Sequence, residues 1–273
     1  MITKQLRIPL TAAVGGVAAL ILRLWNLRAG FEPGTGLPVS DNPSFPALLA
    51  LLTLILVLLV VQSLKLSDSG NPRFPFRTQN RVLCVLPVAG AALLCLSGVA
   101  DILDALNGGG QSYEYAGLIS GESVGMSTGV QCACGALTLL SAWSVFECVR
   151  ACLRGDMRHR AGVMIPAVAL AFRLVTIYRL DSVNPVLQDY APALVALLFH
   201  VLGFYAFSAF TFDSGDLRQF TISAGGAVTL SLCVLFDKSD YISTPLLFCG
   251  SAAALAGFLV LALQAPVDNN AAP

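Results

Sequence analysis

Twenty consecutive residues at positions 45–64, FPALLALLTLILVLLVVQSL, carry no charged side chain. As an α helix rising about 1.5 Å per residue, such a run matches the hydrocarbon core of a bilayer, roughly 30 Å thick. No water inside that core can satisfy backbone N–H and C=O groups, so the run has to be helical. Comparable stretches lie at 8–25, 82–102, 130–149, 161–178, 191–212, 220–236 and 245–263. The sequence therefore predicts an all-α polytopic membrane protein with about eight transmembrane helices. The stretch at 220–236 is the weakest, being short and interrupted by Thr221, Ser223, Thr229 and Ser231.

Composition excludes a soluble alternative. Hydrophobic residues make up 56% of the chain and charged ones 12%, whereas soluble domains carry about 25% charged residues. No connection is long enough for a folded soluble domain of about 50 residues, so residues 1–273 are read as one membrane domain. The first 25 residues also have the basic start and apolar centre of a secretory signal peptide. That segment has an internal counterpart at 161–180, however, which favours a retained helix.

The apolar run at 46–70 occurs twice. PALLALLTLILVLLVVQSLKLSDSG is answered by PALVALLFHVLGFYAFSAFTFDSG at 192–215, with an offset of 146 at the opening proline (192 − 46). Three further matches follow the same order. Arg23 in ALILRL aligns with Arg173 in ALAFRL, Asp101 at the end of AGAALLCLSGVAD aligns with Asp237 at the end of AGGAVTLSLCVLFD, and Cys134-Gly135 aligns with Cys249-Gly250. The chain thus reads as a duplicated unit, 1–154 and 155–273, with four helices in each part. An even number of spans per unit makes this a parallel 4+4 repeat, its pseudo-twofold axis along the membrane normal.

Most basic residues fall on one side of the predicted spans, Lys4 and Arg7, Lys65 to Arg81, Arg150 to Arg160, and Arg218, with only Arg28, Arg179 and Lys238 near helix ends on the other. The positive-inside rule places that side and both termini in the cytoplasm of a cell-membrane protein. The opposite connections are acidic, with Glu32, Asp41, Glu114, Asp181 and Asp189 among them. Net charge is zero and no basic domain is present, so nothing points to nucleic acid. The basic turn Arg158-His159-Arg160 is read as an orientation signal facing anionic headgroups, and the external stretch 103–129 as a surface loop or a cap over a pocket.

Arg23 and Arg173 are the main candidate site residues, because an ionisable group within a span is costly and generally finds a partner or a cavity. Three readings are open. Their stems can snorkel to the outer interface. They can bind a small anionic ligand or lipid headgroup through paired hydrogen bonds. They can also pair structurally with Asp101 and Asp237, which sit at equivalent helix ends. His200 replaces Leu54 of the first copy (200 − 146), and is either hydrogen-bonded to a neighbouring helix or part of a specialised site. Glu147 and Arg150 are spaced as a local helix pair.

The eight cysteines all lie in predicted spans or at their cytoplasmic ends, which argues against a disulfide framework. Cys132 and Cys134 point to different faces of a helix, and no histidine accompanies Cys148 and Cys152, so no metal site is expected. No G-x-S-x-G, H-E-x-x-H, Walker loop or dinucleotide fingerprint occurs, and neither an enzyme activity nor a cofactor is expected. The remaining readings are a small-molecule permease or carrier with its site between the two repeats, and a non-catalytic sensor, regulatory or assembly module.

The topology is directly testable. A cysteine introduced by Ser112→Cys is expected to react with a membrane-impermeant thiol reagent applied from outside the cell. Reaction only from the cytoplasmic side would reverse the orientation.

Overall fold

The structure is a computed structural model that describes residues 6–32, 37–39, 41–66, 76, 78, 80–107, 112–113, 124–155, 161–182, 186–237 and 243–264. Its eight long helices are α1 (Arg7–Ala29), α2 (Ser44–Leu64), α3 (Val85–Leu106), α4 (Thr128–Arg154), α5 (Ile165–Asp181), α6 (Leu187–Ala209), α7 (Leu217–Cys233) and α8 (Ser243–Gln264). Short 3₁₀ turns, Arg81–Cys84 and Ala161–Met164, lead into α3 and α5, and another, Phe210–Phe212, follows α6. Between α3 and α4, the two-residue strands β1 (Ser112–Tyr113) and β2 (Val124–Gly125) pair antiparallel. Most of the predicted surface loop or cap at 103–129 lies outside the described residues, as does the basic turn at 158–160.

Among the described residues seven helical segments are long and apolar enough to cross a membrane, as in a multipass membrane protein. The eighth helix, α7, has 17 residues, about 25 Å at 1.5 Å per residue. It begins earlier than its apolar pattern because the Asp216 side chain caps it, accepting from the Arg218 N–H at 2.8 Å. Its hydroxyl residues are turned inward and satisfied. Thr221 donates to Leu217 O, Ser223 to Gln219 O and Thr229 to Gly225 O.

Each outer helix has two contrasting faces. In α1, Ile8, Ala12, Gly16, Ala19, Arg23 and Asn26 are buried at helical spacing, while Leu10, Val14, Val17 and Ile21 are exposed along the opposite stripe. Helix α2 likewise buries Leu48, Leu52, Ile55 and Leu59 and exposes Leu49, Leu54, Val57 and Val61. In α1 the large apolar side chains mostly face out and the small and polar ones face in, as lipid as solvent requires, whereas α2 carries large apolar residues on both faces. Helices α7 and α8 take the centre. Helix α7 packs on α1, α2, α6 and α8, and α3 packs mainly on α4 and α8.

Glycines set how closely the helices approach. A Cβ on Gly90 of α3 would stand 2.6 Å from Gly250 O of α8, and one on Gly250 would stand 3.0 Å from Gly90 O. Gly98 of α3 and Gly135 of α4 form the same reciprocal contact, 2.8 Å in both directions. The α3–α8 contact is fastened further by Ser97 Oγ–H, which donates to Ser243 O at 2.7 Å.

Gly250→Val is expected to destabilise the protein by about 1–3 kcal/mol through overpacking, read as a lower midpoint of thermal unfolding in detergent. Gly162→Ala, whose nearest new contact would be at 3.8 Å, should leave the midpoint unchanged. Equal midpoints for the two variants would refute close α3–α8 packing.

Candidate functional site

Arg23 and Arg173 both point into the bundle, 1% and 2% exposed. Snorkelling to the interface, the plainest of the sequence readings, does not occur. Arg23 binds Asp237 side-on, with Nε–H donating to Oδ1 at 2.8 Å and Nη2–H to Oδ2 at 3.0 Å. Arg173 binds Asp101 end-on, with Nη1–H donating to Oδ2 at 2.9 Å and Nη2–H to Oδ1 at 3.3 Å. Each pair joins a helix from one part of the chain to an aspartate from the other part.

Arg23 spends the rest of its donors on neighbours. Nη1 donates to Asn26 Oδ1 and to Gln188 O, both at 3.0 Å, and Nη2 donates to Asp189 O at 2.7 Å. All five guanidinium N–H groups are therefore used. Gln188 O is free to accept because Pro192 stands four residues later in α6 and has no N–H to return the helical bond. Asn26 is held in turn by its amide, which donates to Ser44 Oγ at 3.0 Å. Helix α1 is brought to this position by Gly16, which lies against Thr229 and Leu232 of α7. Thr229 Oγ1–H also donates to Ala12 O at 3.1 Å.

Asp101 is placed by the glycine contact of α3 with α4. A Cβ on Gly135 would stand 3.2 Å from the Asp101 Cβ, so the smallest residue on α4 makes room for the carboxylate. Below it, α4 carries a buried polar stripe that the sequence reading did not single out: Gln131, Thr138, Ser141 and Ser144. The signal was available as polar residues recurring at intervals of seven, three and three within an otherwise apolar span. Ser144 Oγ–H donates to Gly162 O at 2.6 Å, tying α4 to the entry of α5.

His200 is fully buried. Its Nδ1 lies 2.7 Å from Ala196 O, which can only accept, so Nδ1 carries the hydrogen. Nε2 then accepts from Ser231 Oγ–H of α7 at 2.9 Å, and the ring packs edge-on against Phe248 with centroids 5.9 Å apart. The histidine is thus hydrogen-bonded to a neighbouring helix and is not brought to the arginines. Glu147 and Arg150 form their local pair at 2.6 Å. All eight cysteines are free, and among the described residues no cluster of three metal-ligating side chains occurs.

One hollow is lined by Arg173, and another lies beside the partners of Arg23. A small cavity of about 10 Å³ lies beside Arg173, Thr138 and Ser141. An open depression of about 390 Å³ lies beside Asn26 and Gln188, with Pro38, Asp41 and Phe45 on its wall. The other end of the bundle is closed by Phe76, which belongs to the basic connection between α2 and α3 yet is fully buried. Its ring meets Phe207, Phe210 and Phe220 edge-on, at centroid distances of 4.9, 5.1 and 5.6 Å. A main-chain bond from Thr78 N–H to Cys152 O at 3.3 Å anchors the same connection on α4.

Breaking a buried pair by removing one partner strands a charge, at a cost of about 3–5 kcal/mol, whereas replacing both partners by apolar groups is often neutral. Asp101→Asn is therefore expected to lower the unfolding midpoint sharply, and Asp101→Leu combined with Arg173→Met should recover most of the loss. A single variant as stable as the parent would show that the pair is not formed. Comparison with protein-family models, curated proteins and solved structures finds no match to the chain.

Proposed function

We propose that the protein is a small-molecule permease of the cell membrane, built as a parallel 4+4 duplication with both termini in the cytoplasm. The observation that carries this reading is the crossed charge pairing. Arg23 of the first unit meets Asp237 of the second, and Arg173 of the second meets Asp101 of the first. Such an exchange is expected where two copies of one unit face each other, and it places a separable contact between them near one membrane surface.

Opening the Arg173–Asp101 pair would offer a guanidinium fork to an oxyanion. The aspartate so released cannot stay charged and alone in a low-dielectric interior. The load that opens the pair must therefore neutralise both partners, either as an anion accompanied by a proton or as a zwitterion. On the predicted topology the depression beside Asn26 and Gln188 faces outward and receives the solute, and the Phe76 cluster closes the cytoplasmic end.

A second reading, a non-catalytic sensor, regulatory or assembly module, is favoured by one observation: the cavity beside Arg173 is too small for any metabolite. A thermal-shift screen of the purified protein against metabolites and lipids separates the two readings, followed by uptake of any hit into proteoliposomes. The permease reading expects a stabilising solute whose shift and uptake are lost in Arg173→Ala. A shift without uptake, or no shift with any solute, favours the second.

A further inference from the structure

We infer that the cavity beside Arg173 is a binding site for a single water molecule, which completes the hydrogen bonding of the buried guanidinium. The inference stands independently of transport. It begins with the difference between the two arginines. Arg23 grips its carboxylate side-on and has every N–H occupied. Arg173 grips its carboxylate end-on, through Nη1 and Nη2. End-on geometry turns Nε away from the carboxylate, and the fully buried Arg173 Nε makes no hydrogen bond to nitrogen or oxygen among the described residues; the Cys134 thiol beside the guanidinium is only a weak acceptor. A buried donor left without a partner is costly and calls for an occupant.

The cavity that Arg173 lines supplies the complementary groups. Thr138 Oγ1–H donates to Cys134 O and Ser141 Oγ–H to Leu137 O, both at 2.8 Å. With their hydrogens committed to the helix backbone, both hydroxyls retain lone pairs to accept. The same space is bounded by Leu94, Ala169, Phe204 and Leu247, which offer nothing polar from their side chains. One donor and two acceptors around a single space match a water that accepts once and donates twice, close to the average of about three bonds made by buried waters.

Size and charge exclude the alternatives. A volume of about 10 Å³ corresponds to roughly one water-sized sphere, so a second water or an organic ligand does not fit. A halide could accept from Nε–H, but it would then face two hydroxyl lone pairs. The positive charge that would hold it is already matched by Asp101 at 2.9 Å. A dry cavity would leave Nε–H with no acceptor stronger than the Cys134 thiol.

The test is a structure of the purified protein at a resolution that shows ordered solvent, determined with and without bromide. The expected result is one solvent peak within about 3 Å of Arg173 Nε, unchanged by bromide. Radiolytic hydroxyl labelling supplies a second measurement. Phe204 and Leu94 should be oxidised in the parent although they are shielded from bulk water, and their labelling should fall at least several-fold in Thr138→Val combined with Ser141→Ala. Should that variant fail to fold, the solvent map of the parent decides. An empty cavity, a bromide-dependent peak, or Nε bonded directly to Thr138, Ser141 or Cys134 would overturn the inference.

Discussion

A guanidinium inside a bilayer keeps its charge and must find a partner for the N–H groups it withdraws from bulk water. That demand organises one whole end of the bundle. Arg23 draws in the turn after α7, the first turn of α6 and its own helix through Asn26, so that three separate segments converge on one side chain. The bond to Gln188 O also shows how a helix defect in one element becomes a binding feature for another. Pro192 removes a hydrogen bond from α6, and the unpaired carbonyl is taken by a cation from α1.

The rest of the interior follows the same economy with weaker groups. Lipid offers no hydrophobic incentive for helices to associate, so contact is won by close approach and by hydroxyls returned to backbone carbonyls. Gly90, Gly98, Gly135 and Gly250 provide the approach. Ser97, Ser144 and Thr229 then carry hydrogen bonds across α3–α8, from α4 to the entry of α5, and across α7–α1. The low hydropathy of α7 belongs to this scheme, since a helix enclosed on several sides by protein needs no apolar coat.

Most of the helices were legible because apolar length is a local property. The ends were less so. Helix α1 runs on to Ala29 past Arg23 and Asn26, because polar residues that are satisfied from neighbouring helices do not interrupt a span. The four charged residues stood out for the same local reason, but their direction did not. Reaching outward and reaching inward look alike along a sequence, and only the placement of Asp237 and of the carbonyls near Pro192 decides between them. The link from His200 to Ser231, 31 positions away, left no local trace. Phe76 sits among prolines and arginines in a connection that reads as surface, and its burial depends on aromatic rings contributed by α6, α7 and α8.

The reciprocal glycine contacts also determine how the bundle can deform. Where two backbones touch with no side chain between them, there is no slack to absorb sliding, so α3 is geared to α4 at one level and to α8 at another. These three helices shift together or not at all, carrying Asp101 with them. Arg173 rides on α5, which is joined to this unit by the Asp101 carboxylate and by the Ser144 bond to Gly162 O. The seam along which the bundle would part therefore runs beside α3, α4 and α8, where Arg173 meets Asp101.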